Sequence, residues 1–415
     1  MAGSNRSINV LLVSYPSQGH INPLLQFGKR LAGCHDVRCT LAMTRSSLRS
    51  SEAPDPGAVR IAAFSDGCDH GGYEEVSDEY AYLSRLEAAG SDTLDELLRF
   101  ESAQGRPPRV ARRHGASCAA FFTQACAVNI LCAHAWADNV KLPMVNVPSE
   151  LPGLSTKLEP SDFPTYLTKE TSCPAYRDLL VHQCQGLDEA DHVLINSFYE
   201  LQAKEAEYMS SRWGAKMVGP TVPSAYLDNR LPDDTSYGFH LYTPMTAESE
   251  AWLDKRPAYS VVYVSFGSLA APGPEQISEV AMGLYNSGKA FLWLKVLAHP
   301  AIGCFVTHCG WNSTMEGLSA GTPMVAMPQW SDQSTNAKYI QDVWRVGVRV
   351  RPNADKLVTK EELGRCLTEV MEGEMKTQYK TNAMKWSERA KMAMSEGGSS
   401  DQYIIEFLAK LRSNS

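Results

Sequence analysis

Short β-branched runs alternating with amphipathic stretches predict an α/β protein with parallel sheets covered by helices. Length supplies the second feature. At 415 residues, 44% of them hydrophobic, the chain exceeds one compact core and suits two domains of about 150–200 residues each. The junction follows from a third observation: residues 219–247, GPTVPSAYLDNRLPDDTSYGFHLYTPMTA, are rich in Pro, Asp and Gly and hold no period. The expected division is a first domain over 1–222, a linker over 223–247 and a second domain over 248–395.

In the first domain the strand candidates are INVLLVSY (8–15), RCTLAMT (38–44), VRIAAF (59–64) and SCAAFFT (117–123). Between the first two, INPLLQFGKRLAG reads as a helix with Asn22 as cap, Pro23 at the first helical position and Gly33 as its stop. That makes one βαβ unit. The second domain offers SVVYVSFG (260–267), AFLWL (290–294), CFVTHCG (304–310), TPMVAMPQ (322–329) and VGVRVR (346–351). A last helix opens at Ser399 or Ser400, carries an apolar stripe of Ile404, Ile405, Phe407 and Leu408, and is expected to pack, over 396–415, on the first domain.

Bulk chemistry excludes several classes. A net charge of −8, from 39 Lys plus Arg against 47 Asp plus Glu, gives no basic field for nucleic acid or an anionic membrane. The only N-terminal apolar run, Ile8 to Val13, is too short for an export signal or a spanning helix, so a cytoplasmic address is expected. Eleven cysteines are scattered with no CxxC pair, as expected of reduced, mostly buried thiols. No GxGxxG follows either first strand, which leaves a dinucleotide-dependent dehydrogenase without its fingerprint.

The chemistry concentrates in FVTHCGWNSTMEG (305–317). Open α/β sheets bind ligands beyond the carboxyl ends of their strands, where helix N-termini present unpaired N–H groups and partial positive charge. A strand ending at His308 and a helix beginning near Trp311 therefore describe an anion site, most naturally for a diphosphate. Gly310 allows close backbone approach, His308, Asn312 and Ser313 can donate, and Glu316 lies one turn further in, placed to accept from ribose hydroxyls. Asn312 or Ser313 taken singly could equally be a helix cap. A metal is the other reading, since His299, Cys304, His308 and Cys309 fall within eleven residues. Strand alternation sends Cys304 and His308 to one face and Cys309 to the other, which opposes a shared tetrahedral ion, so no metal is expected.

Two more turns join this one. MPQWSDQSTN sets Trp330, Asp332 and Gln333 after the next strand, where a carboxylate and an amide suit vicinal sugar hydroxyls, with a helix cap as the plainer alternative. SFGS (265–268) offers Gly267 and Ser268 to a phosphate. His20, beside Gly19 where the first strand turns into its helix, occupies the expected place for a catalytic group, although a lone loop histidine is more often only that.

With THCGWNSTMEGLSAGTPMVAMPQWSDQ in view, the chain closely resembles the plant UDP-dependent glycosyltransferases, whose signature box contains this run nearly verbatim. YPSQGHINPLLQFGKRLA, VLINSFYELQ, MVGPTVPS and VVYVSFGSL extend the resemblance over most of the chain. It looks most like the branch acting on phenols, carboxylates, thiohydroximates and, in grasses, trichothecene toxins. The resemblance implies the GT-B architecture, two Rossmann-like domains facing a cleft, with inversion at the anomeric carbon, no metal and no cofactor. UDP-glucose would be the donor, a small lipophilic molecule the acceptor, and the working form a monomer. It makes His20 the catalytic base and gives the diphosphate to Ser268, His308, Asn312 and Ser313. Glu316 would take the ribose, and Trp330, Asp332 and Gln333 the sugar.

Two segments of the family pattern lack a counterpart. After ESAQGRP the family carries a strand whose acidic residue orients the catalytic histidine, whereas here Pro107 runs into PRVARRHG and no Asp or Glu occurs from Ser102 through Val128. In an analogous triad, neutralising the orienting carboxylate costs about 10⁴ in rate. At FLWLKVLAHP a further strand and the residues that hold uracil are missing, because Trp293 belongs to the preceding strand. A protein that binds nucleotide sugar with little turnover is therefore the competing expectation.

Overall fold

The structure is a computed structural model that describes residues 7–50, 55–76, 78–103, 117–137, 139–144, 148, 151–168, 174–239, 246–268, 272–293 and 297–413. Both sequence junctions, near Pro107 and at Leu294 to Val296, fall outside these residues.

The first half runs β1 (Ile8–Val13), α1 (Gln18–Ala32), β2 (Val37–Thr44), α2 (Arg45–Ser50), β3 (Arg60–Phe64), α3 (Glu79–Ala103), β4 (Ala119–Phe122) and α4 (Cys126–Trp136). It continues through α5 (Thr165–Thr168), α6 (Pro174–His182), β5 (His192–Ile195), α7 (Ala203–Trp213) and β6 (Lys216–Met217). The second half holds α8 (Thr246–Leu253), β7 (Val261–Ser265), α9 (Pro274–Asn286), β8 (Ala290–Leu292), β9 (Ile302–Thr307), α10 (Trp311–Ala320) and β10 (Met324–Ala326). After it come α11 (Gln333–Lys338), β11 (Gly347–Arg349), α12 (Lys360–Met371), α13 (Lys376–Met394) and α14 (Ser399–Ser413).

The second-half sheet is parallel throughout, ordered β11-β10-β9-β7-β8. Cys304, Phe305, Val306 and Thr307 in β9 are buried on both faces, as a central strand covered by helices requires. The direction of the strand order reverses between β7 and β9, so the crevice beyond their carboxyl ends is the place for a ligand. The first-half strands, also parallel, form two separate sheets, β1-β2-β3 and β4-β5-β6. Among the described residues β1 pairs with β2 alone and β4 with β5 alone. Val13, at the end of β1, is 44% exposed, unusual for an apolar residue in such a strand.

One expected element begins elsewhere. Helix α1 starts at Gln18, not at Pro23, because the Ser17 carbonyl already accepts the N–H groups of His20 and Ile21. Asn22 is therefore a buried residue inside the helix, and Pro23 sits in its second turn. A proline there has no N–H to give to the carbonyl four residues back, that of Gly19. In α14, Ile404, Phe407 and Leu408 are buried while Ile405 is exposed, so the stripe is narrower than expected. Phe407 lies 6.4 Å from Phe27 of α1 and 5.0 Å from the ring of His192, and Ser400 donates to the Gly219 carbonyl at 2.6 Å.

Candidate active site

Each half brings turns at the carboxyl ends of its strands to the shared cleft. In the first half, His20 lies in the opening turn of α1 and Thr123 directly follows β4. Their side chains meet at 2.9 Å, Nδ1 to Oγ1. The edge of the Tyr15 ring packs against the imidazole at 5.6 Å. Burial lowers the pKa of His20 to about 4, although part of the residue still meets solvent, so near neutral pH it is an uncharged imidazole. Neutral imidazole carries one proton, and in the tautomer whose Nδ1–H donates to the Thr123 oxygen, Nε2 is left as the basic nitrogen. No carboxylate bonds to His20 among the described residues.

In the second half the switch-point turns pack on each other. A Cβ placed on Gly267, which has φ +75°, would come 2.6 Å from His308 Nε2, and one on Gly310 would come closer still. Only glycine at both positions lets the ring of His308 lie between the two turns. Cys309, between them, is itself left-handed at φ 67° and is held by Thr307 Oγ1 on its N–H and by Asn336 Nδ2 on its carbonyl. Burial lowers the pKa of His308 to about 4, and its Nδ1 is buried without a hydrogen-bond partner. Ser268 follows Gly267 on the same turn, partly exposed.

Helix α10 opens at Gly310 with no side chain capping it, so neither Asn312 nor Ser313 serves as a cap. Its first-turn N–H groups are those a helix leaves without internal partners. Asn312 turns its amide Nδ2 to the Gly19 carbonyl at 2.7 Å, across 293 residues of sequence, and leaves Oδ1 buried and unpartnered. Ser313 is half-buried beside it. Trp311 is different: its indole N–H donates to the Asn196 carbonyl at 2.7 Å and its ring is buried, so only its backbone is offered at the helix start. The Glu316 carboxylate accepts a hydrogen bond from the buried hydroxyl of Tyr237, which comes from the segment joining the halves.

Beyond β10, Trp330 packs on Tyr176 at 5.4 Å. Ser331 is left-handed at φ 61° and is pinned by the first half: its N–H donates to Thr165 Oγ1 at 2.8 Å, and its carbonyl accepts from Thr165 N at 3.0 Å. Asp332 stands at the N-terminus of α11 without capping it, and its carboxylate accepts from Asn336 Nδ2 at 2.7 Å instead. Burial raises its pKa to about 6 against hydrogen bonds from Asn336 and Ser331 that pull it down. Gln333 gives its carbonyl oxygen to the N–H groups of Gln329 and Trp330, at 2.8 and 3.0 Å. Among the described residues no three His, Cys, Asp or Glu side chains are grouped as metal ligands.

The structure thus gathers His308, Gly267, Ser268, Gly310, Asn312 and Ser313 around the α10 start, with His20 facing them. Trp330, Asp332 and Gln333 stand at the next turn. In the sequence Thr123 is only the last residue of a strand candidate, and nothing local signals its bond to a residue 103 positions away. Phe121 packs on Phe27 at 5.1 Å and Phe122 is buried, so both belong to the core.

The fold is that of a nucleotide-sugar-dependent transferase of the GT-B class. The chain belongs to the family of UDP-glucuronosyl and UDP-glucosyl transferases. Residues 294–396 match the family described as UDP-glucoronosyl and UDP-glucosyl transferase. The chain is 44% identical to UDP-glucosyltransferase UGT13248 of barley (Hordeum vulgare subsp. vulgare), covering 99% of this chain and 96% of that one. It is 42% identical to UDP-glycosyltransferase 79 of rice (Oryza sativa subsp. japonica), over 99% and 98%. Among solved structures it superposes on rice Os79 in complex with UDP with a TM-score of 0.90 at 41% identity, over 97% of this chain and 99% of that one. The barley alignment spans 459 positions against 415 residues here, so at least 44 positions of that relative have no counterpart.

Proposed function

We propose that this chain transfers glucose from UDP-glucose, with inversion, to a hydroxyl, carboxyl or thiol of a small lipophilic acceptor such as a plant secondary metabolite or a mycotoxin. Rice Os79 has been solved with a trichothecene, which supports an acceptor of that size and character. The observation that carries the reading is the Asn312 to Gly19 bond, which sets the turn bearing His20 against the N-terminus of α10. In this proposal the diphosphate lies on the α10 start, between Asn312, Ser313, His308 and the Gly267–Ser268 turn. Glu316 serves the ribose, and Trp330, Asp332 and Gln333 the sugar. His20 Nε2 takes the acceptor proton, the acceptor oxygen bonds to the anomeric carbon, and the bond from that carbon to the diphosphate oxygen breaks. UDP leaves with its charge on the helix amides. The chain works as a cytoplasmic monomer with no metal or cofactor, its halves dividing near residues 222 and 248. Among the described residues no helix is long and apolar enough to cross a membrane.

A second reading, nucleotide-sugar binding with little turnover, is favoured by one observation: His20 leans on the hydroxyl of Thr123 and not on a carboxylate. A hydroxyl fixes the ring but does not stabilise the imidazolium that forms. Incubation with UDP-glucose and a panel of phenols, with UDP binding measured in parallel, separates the two. Glucoside that disappears in His20→Ala supports transfer, whereas UDP binding without product supports the second reading. Thr123→Asp places a carboxylate within reach of Nδ1 and should raise product formation at least about tenfold, part of the roughly 10⁴ at stake in an analogous triad. An unchanged or lower rate in that variant would remove Thr123 from the mechanism.

A further inference from the structure

Helix α1 contains a proline where a helix is normally weakened by one: Pro23, in its second turn. In an α-helix the N–H of residue 23 would bond the carbonyl of residue 19, and proline both lacks that N–H and crowds that oxygen. The Gly19 carbonyl is therefore released from the helix, and it is the atom that accepts the Asn312 amide at 2.7 Å. Gly19 adjoins His20, and Asn312 lies in the first turn of α10, so one hydrogen bond joins the base-bearing turn to the anion-binding turn. The Oδ1 atom of Asn312, buried and unpartnered, is fixed in place by the same contact.

We infer that Pro23 is a positioning residue, whose missing N–H reserves the Gly19 carbonyl for Asn312 and so sets His20 relative to the donor diphosphate. The catalytic part of this inference rests on the transfer reading above; the bond itself does not. Proline in a helix interior is destabilising relative to alanine, so a purely structural account gives no reason for a residue that weakens the helix it sits in. The positional account does: a residue with an N–H here would compete with Asn312 for the Gly19 carbonyl and draw that oxygen into line with the helix axis.

Pro23→Ala tests it. The variant should unfold at higher urea than the wild-type chain while forming glucoside about ten to a hundredfold more slowly, the penalty for misplacing a catalytic group by a fraction of an ångström to one ångström. Gain of stability with loss of turnover is not what a merely structural proline would give. A double-mutant cycle makes the test independent of turnover. Asn312→Ala should lower the urea midpoint in the wild-type background and do so less in Pro23→Ala, where the restored N–H shares the Gly19 carbonyl and weakens its bond to Asn312. Equal losses in the two backgrounds overturn the inference. Pro23→Ser, which also restores the N–H, repeats the cycle should the alanine variant fail to fold. If the wild-type chain binds UDP but makes no glucoside, the transfer reading fails while the cycle still decides whether Pro23 reserves the carbonyl.

Discussion

The Asp332 carboxylate shows how one buried group couples the site to pH. Its pKa is raised from the ordinary aspartate value to about 6, with burial as the leading cause. A carboxyl whose folded pKa lies above its unfolded pKa favours the folded chain below the unfolded value, and that contribution is lost as pH rises through about 6. Asp332→Asn keeps the Asn336 contact and removes the ionisation. The variant should match the wild-type chain below about pH 4 and exceed it above pH 6, by an amount on the order of 2 to 3 kcal/mol. Urea unfolding of both proteins across this range reads the difference directly. His20 and His308, lowered to about 4, act in the opposite sense, their contribution being lost as pH falls through about 4. They are common to both proteins and cancel from the comparison. If the two stability profiles run parallel, the Asp332 carboxyl does not titrate in this window.

At the level of elements, the site depends on turns that tolerate one residue type. Gly267→Ala adds a left-handed alanine, costing about 1–2 kcal/mol, and also drives a methyl group to 2.6 Å from His308 Nε2. UDP binding should weaken about tenfold or more. Gly288→Ala is the control, since Gly288 has φ +65° but no atom within 4 Å of an added Cβ. It should lose similar backbone stability and keep its UDP affinity, as titration calorimetry of both variants would show. Such turns were legible because Gly, Asn and Ser cluster after apolar runs, and every strand proposed from β-branched runs is present. The short strands β5 and β6 were noticed only as parts of motifs, being too brief to show alternation. The start of α1 was misplaced because a proline at the first helical position is the commoner arrangement, and here backbone bonds to Ser17 begin the helix earlier. What no local pattern could reveal were pairings between distant residues: Thr123 with His20, Thr165 with Ser331, Tyr237 with Glu316. The first depends on how the two sheets of the first half pack, and the other two on how the first half and the connecting segment meet the second.

For the molecule as a whole, a buried ionic cluster holds three distant parts of the chain together. Arg30 of α1 pairs with Asp228 of the connecting segment and, at 3.5 Å, with Asp401 of α14. Arg230 reaches the same Asp401 at 2.6 Å, and Lys29 pairs with Asp234 at 2.8 Å. The side chains of Asp228 and Asp401 are only 1% and 4% exposed. Arg30→Met keeps the length of the side chain and leaves those carboxylates short of one cation. It should cost about 3–5 kcal/mol, a large share of a typical total of roughly 5–15, measurable as a lower urea midpoint. A midpoint within error of the wild-type value would mean that Arg230 suffices alone. The return of α14 to Phe27, His192 and Gly219 also has a temporal side. A ribosome adding about 5–20 residues per second needs about 10–40 s to travel from Gly219 to Phe407. Throughout that interval the apolar surface that α14 will cover is bare on the nascent chain, so the first half reaches its finished form only after the second has been made.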